Sequence, residues 1–87
     1  MNSNTSPEFW KEYSKLNSNL KKAAQKAYSI WHENHFHPSL QFKCINSSAN
    51  IWSVRISRGY RALCVVEENT AIWFWIGKHE GYEKFYR

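Results

Sequence analysis

Cysteine is nearly absent. The two in this chain of 87 residues, Cys44 and Cys64, match neither a CxxC redox pair nor a zinc framework, and are expected as reduced, buried fillers. No apolar run approaches the ~18 residues of a membrane span. The opening MNSNTSPEF has neither a basic start nor an apolar stretch, so it does not read as a signal peptide; the expected location is the cytoplasm, with no membrane partner. Acidic residues are also few: seven Asp plus Glu stand against twelve Lys plus Arg, a net charge of +5. That imbalance favours a polyanion such as RNA, DNA or the ribosome, or else an acidic protein, without choosing among them.

What is abundant is aromatic. Five Trp, five Tyr and five Phe bury large areas per residue, which lets one short domain, residues 1-87, fold without disulfides; a unit of this size has nothing to spare for a second core. Thr5 and Glu8 fit a capping box and Pro7 suits a first helical turn, predicting a helix from about Pro7 to Leu16. Asn17 or Ser18 can cap a second helix, about Ser18 to Glu33, in which Leu20, Ala24, Ala27 and Trp31 recur at helical spacing with Ala23 and Ile30 beside them. So short a link makes the two an αα-hairpin.

Beyond ENHFHPS the apolar period changes from 3.6 to 2. LQFKCI, IWSVRIS, YRALCVVE and TAIWFWIG read as strands. The fold class is therefore α+β: an N-terminal αα-hairpin packed on one face of a four-stranded, mainly antiparallel twisted sheet. A two-residue turn at RG would mix apolar and charged side chains on both faces. A three-residue loop, Ser57-Arg58-Gly59 with Gly59 left-handed, instead pairs Ile56 with Tyr60, Val54 with Ala62 and Trp52 with Cys64. Carried through a Glu68-Asn69 turn, this register sends Val66, Ala71, Trp73 and Trp75 to the helix-covered face. Ser53, Arg55, Arg61, Leu63, Val65, Ile72, Phe74 and Ile76 go to the other, where Arg55 and Arg61 oppose each other. Only the tail GKHEGYEKFYR, poor in aliphatic residues, remains to cover this second face, which is expected to be a half-exposed groove with a basic floor. The Trp residues are expected in the core.

The order and spacing of these pieces resembles the RelE/ParE superfamily of bacterial toxins, the toxic halves of type II toxin–antitoxin pairs. The likeness covers about residues 8–86: a helix hairpin ending in HPSL, a Lys-containing strand, VRISRGYRAL, then IWFWIGKHEGYEKFY. The resemblance implies a toxin held by a cognate antitoxin protein and working without a cofactor. In the ribonuclease branch it implies an endoribonuclease (mRNA interferase) that enters the ribosomal A site, cuts messenger RNA and inhibits translation. A non-catalytic, ParE-type DNA gyrase inhibitor and a degenerate toxin retaining only antitoxin binding are the alternatives. Matched by motif, Arg61 of GYR falls on the family's central-strand arginine and Arg55 of VRI on a basic strand position. His79 of GKH falls where an Arg or His often sits, and Tyr82 or Tyr86 on the terminal aromatic. Two departures stand out: the family's short edge strand before the first helix is not seen in MNSNTSPEF, and Ser53 stands where the ribonuclease branch often has a second Lys.

Cleavage of RNA by its own 2′-hydroxyl requires a base, an acid and positive charge at the phosphorane. Arg55 and Arg61 suit the phosphate. His79 suits proton transfer, since imidazole ordinarily titrates near neutrality. Tyr82 or Tyr86 can stack on a base or donate a proton, and Lys43, Arg58, Lys78, Lys84 and Arg87 can neutralise flanking RNA backbone. Each has a plainer reading: a solvated sheet face or an antitoxin carboxylate for the arginines, a surface histidine, tyrosine lids over bare sheet. His32, His35 and His37 lack the HExxH spacing and have only Glu33 beside them, so they are read as a loop near RNA or antitoxin, with no metal expected.

Overall fold

In the computed structural model, which describes residues 1–85, Ser6 rather than Thr5 caps the first helix. Its backbone is extended, its hydroxyl accepts from the Phe9 amide at 3.4 Å, and Pro7 fills the first turn, where no amide is required. Helix α1 (Pro7–Tyr13) is one turn shorter than predicted. Thr5 is claimed instead by tertiary structure: it ends a strand, β1 (Asn2–Thr5), and its hydroxyl accepts from Trp10 Nε1 at 2.9 Å. Asn17 caps α2 (Ser18–Glu33), accepting from the Leu20 amide at 2.9 Å, and this helix has the predicted bounds, with Ala24, Ala27 and Trp31 as its buried stripe.

Four antiparallel strands come next, as expected: β2 (Lys43–Asn46), β3 (Ile51–Ser57), β4 (Tyr60–Glu67) and β5 (Thr70–Lys78). The sheet has five strands in the order β1-β5-β4-β3-β2, so the expected count of four, and the absence of an edge strand, are corrected by β1. It runs parallel to β5, from Asn2 beside Thr70 to Thr5 beside Trp73. NSNT has neither apolar alternation nor strand propensity, so nothing local announces it. Its partners make it: the Asn2 amide donates to Asn69, the Ser6 amide to Trp73 (both 2.9 Å), and Trp73 Nε1 to Ser3 Oγ at 3.0 Å.

The helix pair straddles one sheet face, α1 over β5 and α2 over β3. A cleft of about 670 Å³ opens between them above Val54, Ala62 and Ile76, spanned by Gln25 Nε2 donating to the Tyr13 hydroxyl at 2.9 Å. Beneath, β3 and β4 pair Trp52 with Cys64, Val54 with Ala62 and Arg55 with Arg61 as expected. At the tip Ile56 bulges out, so Ser57 opposes Tyr60, and Gly59 is left-handed at φ +80°. Glu68 and Asn69, both left-handed, make the predicted turn into β5.

Further along β5 the register slips. Cys64 opposes Trp73 but Leu63 opposes Trp75, leaving Phe74 as an extra residue. One inserted residue inverts the facing of every later position in its strand. Trp75 therefore turns to the second face and Ile76 to the helix side, the reverse of the expectation. Trp10 is another departure, half exposed at 51%. Cys64 is buried, which pushes its thiol up to about 12, whereas Cys44 is exposed because β2 is an edge strand. With Trp52 paired between them, the two cysteine α-carbons stand two strands and so about 10 Å apart, too far for a disulfide. Among the described residues no helix is long and apolar enough to cross a membrane.

Candidate nucleic-acid interface

On the face turned away from the helices, side chains fall into cross-strand rows. Ile51, Val65 and Ile72 form one row; Lys43, Ser53, Leu63 and Trp75 form the next; Arg55, Arg61 and Gly77 form the third, nearest the β3–β4 turn. A 3-10 helix, His79–Phe85, leaves β5 beside the arginine row and crosses toward β2. Its start is tied down by the His79 amide donating to the Gly59 carbonyl at 2.7 Å, its end by Asn46 Nδ2 donating to the Phe85 carbonyl at 3.1 Å. Between these ties Tyr82, 1% exposed, completes a second core with Ile45, Ile51 and Leu63. A tail short of aliphatic residues thus covers the middle of this face, leaving the strip that carries the arginines at one end and a shallow apolar hollow lined by Ile51, Val65, Ile72, Phe74 and Phe85 at the other.

Two glycines make that docking possible. A Cβ on Gly77 would stand 2.8 Å from Trp75 Cζ2, and one on Gly81 3.2 Å from the same atom. The indole fills the space both leave empty, against β5 on one side and the 3-10 helix on the other.

Arg55 and Arg61 are both half-buried and directly opposed. Arg61 folds back over the turn, its Nη1 donating to the carbonyls of Tyr60 (2.9 Å) and Ser57 (3.3 Å), which fixes the guanidinium and leaves further N–H groups for a ligand. Among the described residues Arg55 has neither ion pair nor hydrogen bond, and the single ion pair, Lys15 with Glu12 at 3.4 Å, lies on the helices. Like charges at opposed cross-strand positions cost stability. The pair is held in place by the strand register. His79 lies two residues after Gly77, half-buried, its ring centroid 4.5 Å from that of Tyr82.

Arg55 and Arg61 thus oppose each other at one end of the second face, and His79 follows two residues beyond the Gly77 that faces Arg61, its ring packed against Tyr82. Arg58 is exposed in the adjoining turn, and Lys43 is exposed on the same face at the β2 edge. Lys84 lies at the far end of the 3-10 helix, its Nζ 5.3 Å from the centre of the Phe85 ring. Strand alternation puts Lys78 on the helix side, away from the arginines. Tyr86 and Arg87 fall outside the described residues. Two of the three loop histidines serve locally: His35 Nδ1 donates to the Trp31 carbonyl at the end of α2 (2.6 Å), and His37 accepts from the Ser39 amide at 3.2 Å. Trp75 beside the arginine row was not anticipated from sequence; the only local sign was a pair of glycines beyond it.

Helix hairpin, twisted sheet and basic strip together define a small protein with the fold of the RelE-like toxins. Residues 18–84 match the family model of the ParE-like toxin domain, and the chain belongs to that family. A chain of the RelB–RelE antitoxin–toxin complex from Methanococcus jannaschii superposes with a TM-score of 0.74 at 15% identity, over 97% of this chain and 99% of that one. YafQ from E. coli superposes at 0.76 with 8% identity, over 94% and 97%. A YoeB dimer structure from Staphylococcus aureus gives 0.70 at 17%, over 91% and 97%. A sequence search of curated proteins finds no match.

Proposed function

We propose that this chain is the toxin of a toxin–antitoxin pair and that it cuts messenger RNA on the ribosome. The observation that carries the reading is the Arg55–Arg61 pair: two opposed guanidiniums that meet no carboxylate among the described residues, with His79 two residues beyond the Gly77 that faces Arg61. A scissile phosphate bridging them would relieve their repulsion and gain bidentate hydrogen bonds that strengthen as charge builds on the phosphorane. His79 is the proton carrier, passing a proton from the 2′-hydroxyl or to the leaving 5′-oxygen; Tyr82, buried against it, holds the ring in place. Lys43 and Arg58 lie along the path of the RNA strand. The same uncompensated charge suits an acidic segment of an antitoxin, which would silence the site by occupying it. Structural neighbours from toxin–antitoxin complexes support that partner.

A defined messenger RNA in a reconstituted translation system, mapped by primer extension, tests this. The expected result is a cut within the A-site codon that requires ribosomes and disappears in Arg61→Ala. The family model's ParE-like description favours one other reading, a gyrase poison without chemistry. Growth arrest that survives Arg61→Ala and His79→Ala, together with blocked gyrase supercoiling, would establish that reading in place of cleavage.

A further inference from the structure

We infer that Trp75 is a nucleobase-contacting residue of the arginine strip. This rests on the ribonuclease reading above and adds the part of the substrate that the charged groups do not recognise. The extra residue at Phe74 takes Trp75 out of the helix-side core, where its alternation with Trp73 would put it, and aims it at the face that carries Arg55 and Arg61. Bulges are recurrent devices for re-aiming a side chain at a functional site.

The indole does not stay in its own row. Its Cζ2 and Cη2 lie 2.8 and 3.0 Å from where a Cβ of Gly77 would stand, so its six-membered ring reaches over Gly77, the residue directly opposed to Arg61. Cross-strand partners stand about 5 Å apart, so Arg55, Arg61 and Gly77 form one row across β3, β4 and β5, and the edge of the indole lies over the Gly77 end of it. The ring is half-buried rather than sealed. A sugar–phosphate held by the arginines carries its base a few ångströms to one side. A splayed base of single-stranded RNA there meets the part of the indole left uncovered, held in place by Gly77, Gly81 and Phe85, whose ring centroid is 5.8 Å away. Each base–aromatic contact in such sites is worth roughly 5- to 150-fold in affinity, and, unlike a phosphate contact, releases no counterion.

The experiment measures binding of a 2′-O-methyl RNA hexanucleotide, which cannot be cut, across a salt series for wild type, Trp75→Phe, Trp75→Leu and Arg61→Ala. Trp75→Leu should weaken binding roughly 5- to 150-fold with the salt slope unchanged, and Trp75→Phe should recover most of the loss. Arg61→Ala should lower the salt slope by about 0.7. The RNA should also quench the part of the tryptophan emission that is missing in Trp75→Phe, a readout that holds even if Trp75→Leu fails to fold. Arg61→Ala weakening binding while neither Trp75 variant does, with no quenching assignable to Trp75, overturns the inference and leaves the nuclease reading standing. RNA affinity unchanged in all variants overturns both.

Discussion

Replacing Arg55 by Met should make the protein more stable and less active at once. The folded state holds two guanidiniums on opposed strand positions with no ion pair among the described residues, while unfolding lets them separate. For two charges on cross-strand partners, taken as about 7 Å apart in a dielectric close to that of water, the repulsion is about 0.6 kcal/mol, in line with the ~0.2–1 kcal/mol range of cross-strand pairs. Met keeps the apolar stem, so little packing is lost. For a domain of this size each kcal/mol moves Tm by about 4–8 °C, so Arg55→Met should melt about 2–5 °C higher in ~10 mM salt. In ~1 M salt, where the screening length is about 3 Å, most of the gain should vanish. RNA cleavage should fall by about two orders of magnitude or more, the usual scale for removing one donor to a developing anion. Circular-dichroism melts at the two salt concentrations and primer extension provide the readouts. A lower Tm at low salt would refute the reasoning, because Arg55 would then have to be compensated within the fold rather than waiting for an anion.

Packing, capping and burial set three further outcomes. Gly77→Ala should cost about 1–3 kcal/mol because the indole of Trp75, backed by Gly81, has no room to yield; in a Trp75→Leu background the cost should largely disappear, and a double-mutant cycle in urea that proves additive would contradict the wedge. Ser6→Ala should lose about 0.5–1 kcal/mol of stability and Thr5→Ala less, since only Ser6 caps α1; chemical denaturation of the two variants decides it. Cys64 gives a pH signature. Its thiol is held near 12 in the fold against 9.0 when free, so between those values only the unfolded chain releases the proton, and stability must fall as pH rises through that window. Cys64→Ala should flatten the fall, and a thiol reagent should label Cys44 in the native protein but Cys64 only on unfolding.

Features encoded between near neighbours were legible in the amino-acid sequence alone. The stripe Ala24, Ala27, Trp31 and the Asn17 cap define α2 to its end residues, because a helix is built from contacts three and four positions apart. The period-2 runs and the turn residues Gly59, Glu68 and Asn69 give four strands and, through them, the opposition of Arg55 to Arg61, which is most of the charged site. Tertiary structure decided the rest. Strand β1 exists only because β5 offers it a free edge, so its polar sequence carries no sign of it. The slip at Phe74 exchanged Trp75 with Ile76: an unbroken alternation is a local pattern, whereas a bulge is settled by what two strands distant in sequence can pack against each other. The tail looked too polar to cover a sheet, but coverage there comes from one tyrosine and two missing β-carbons, a matter of shape that composition does not record. Side-chain chemistry can be read one residue at a time; which face a residue presents is a property of the whole sheet.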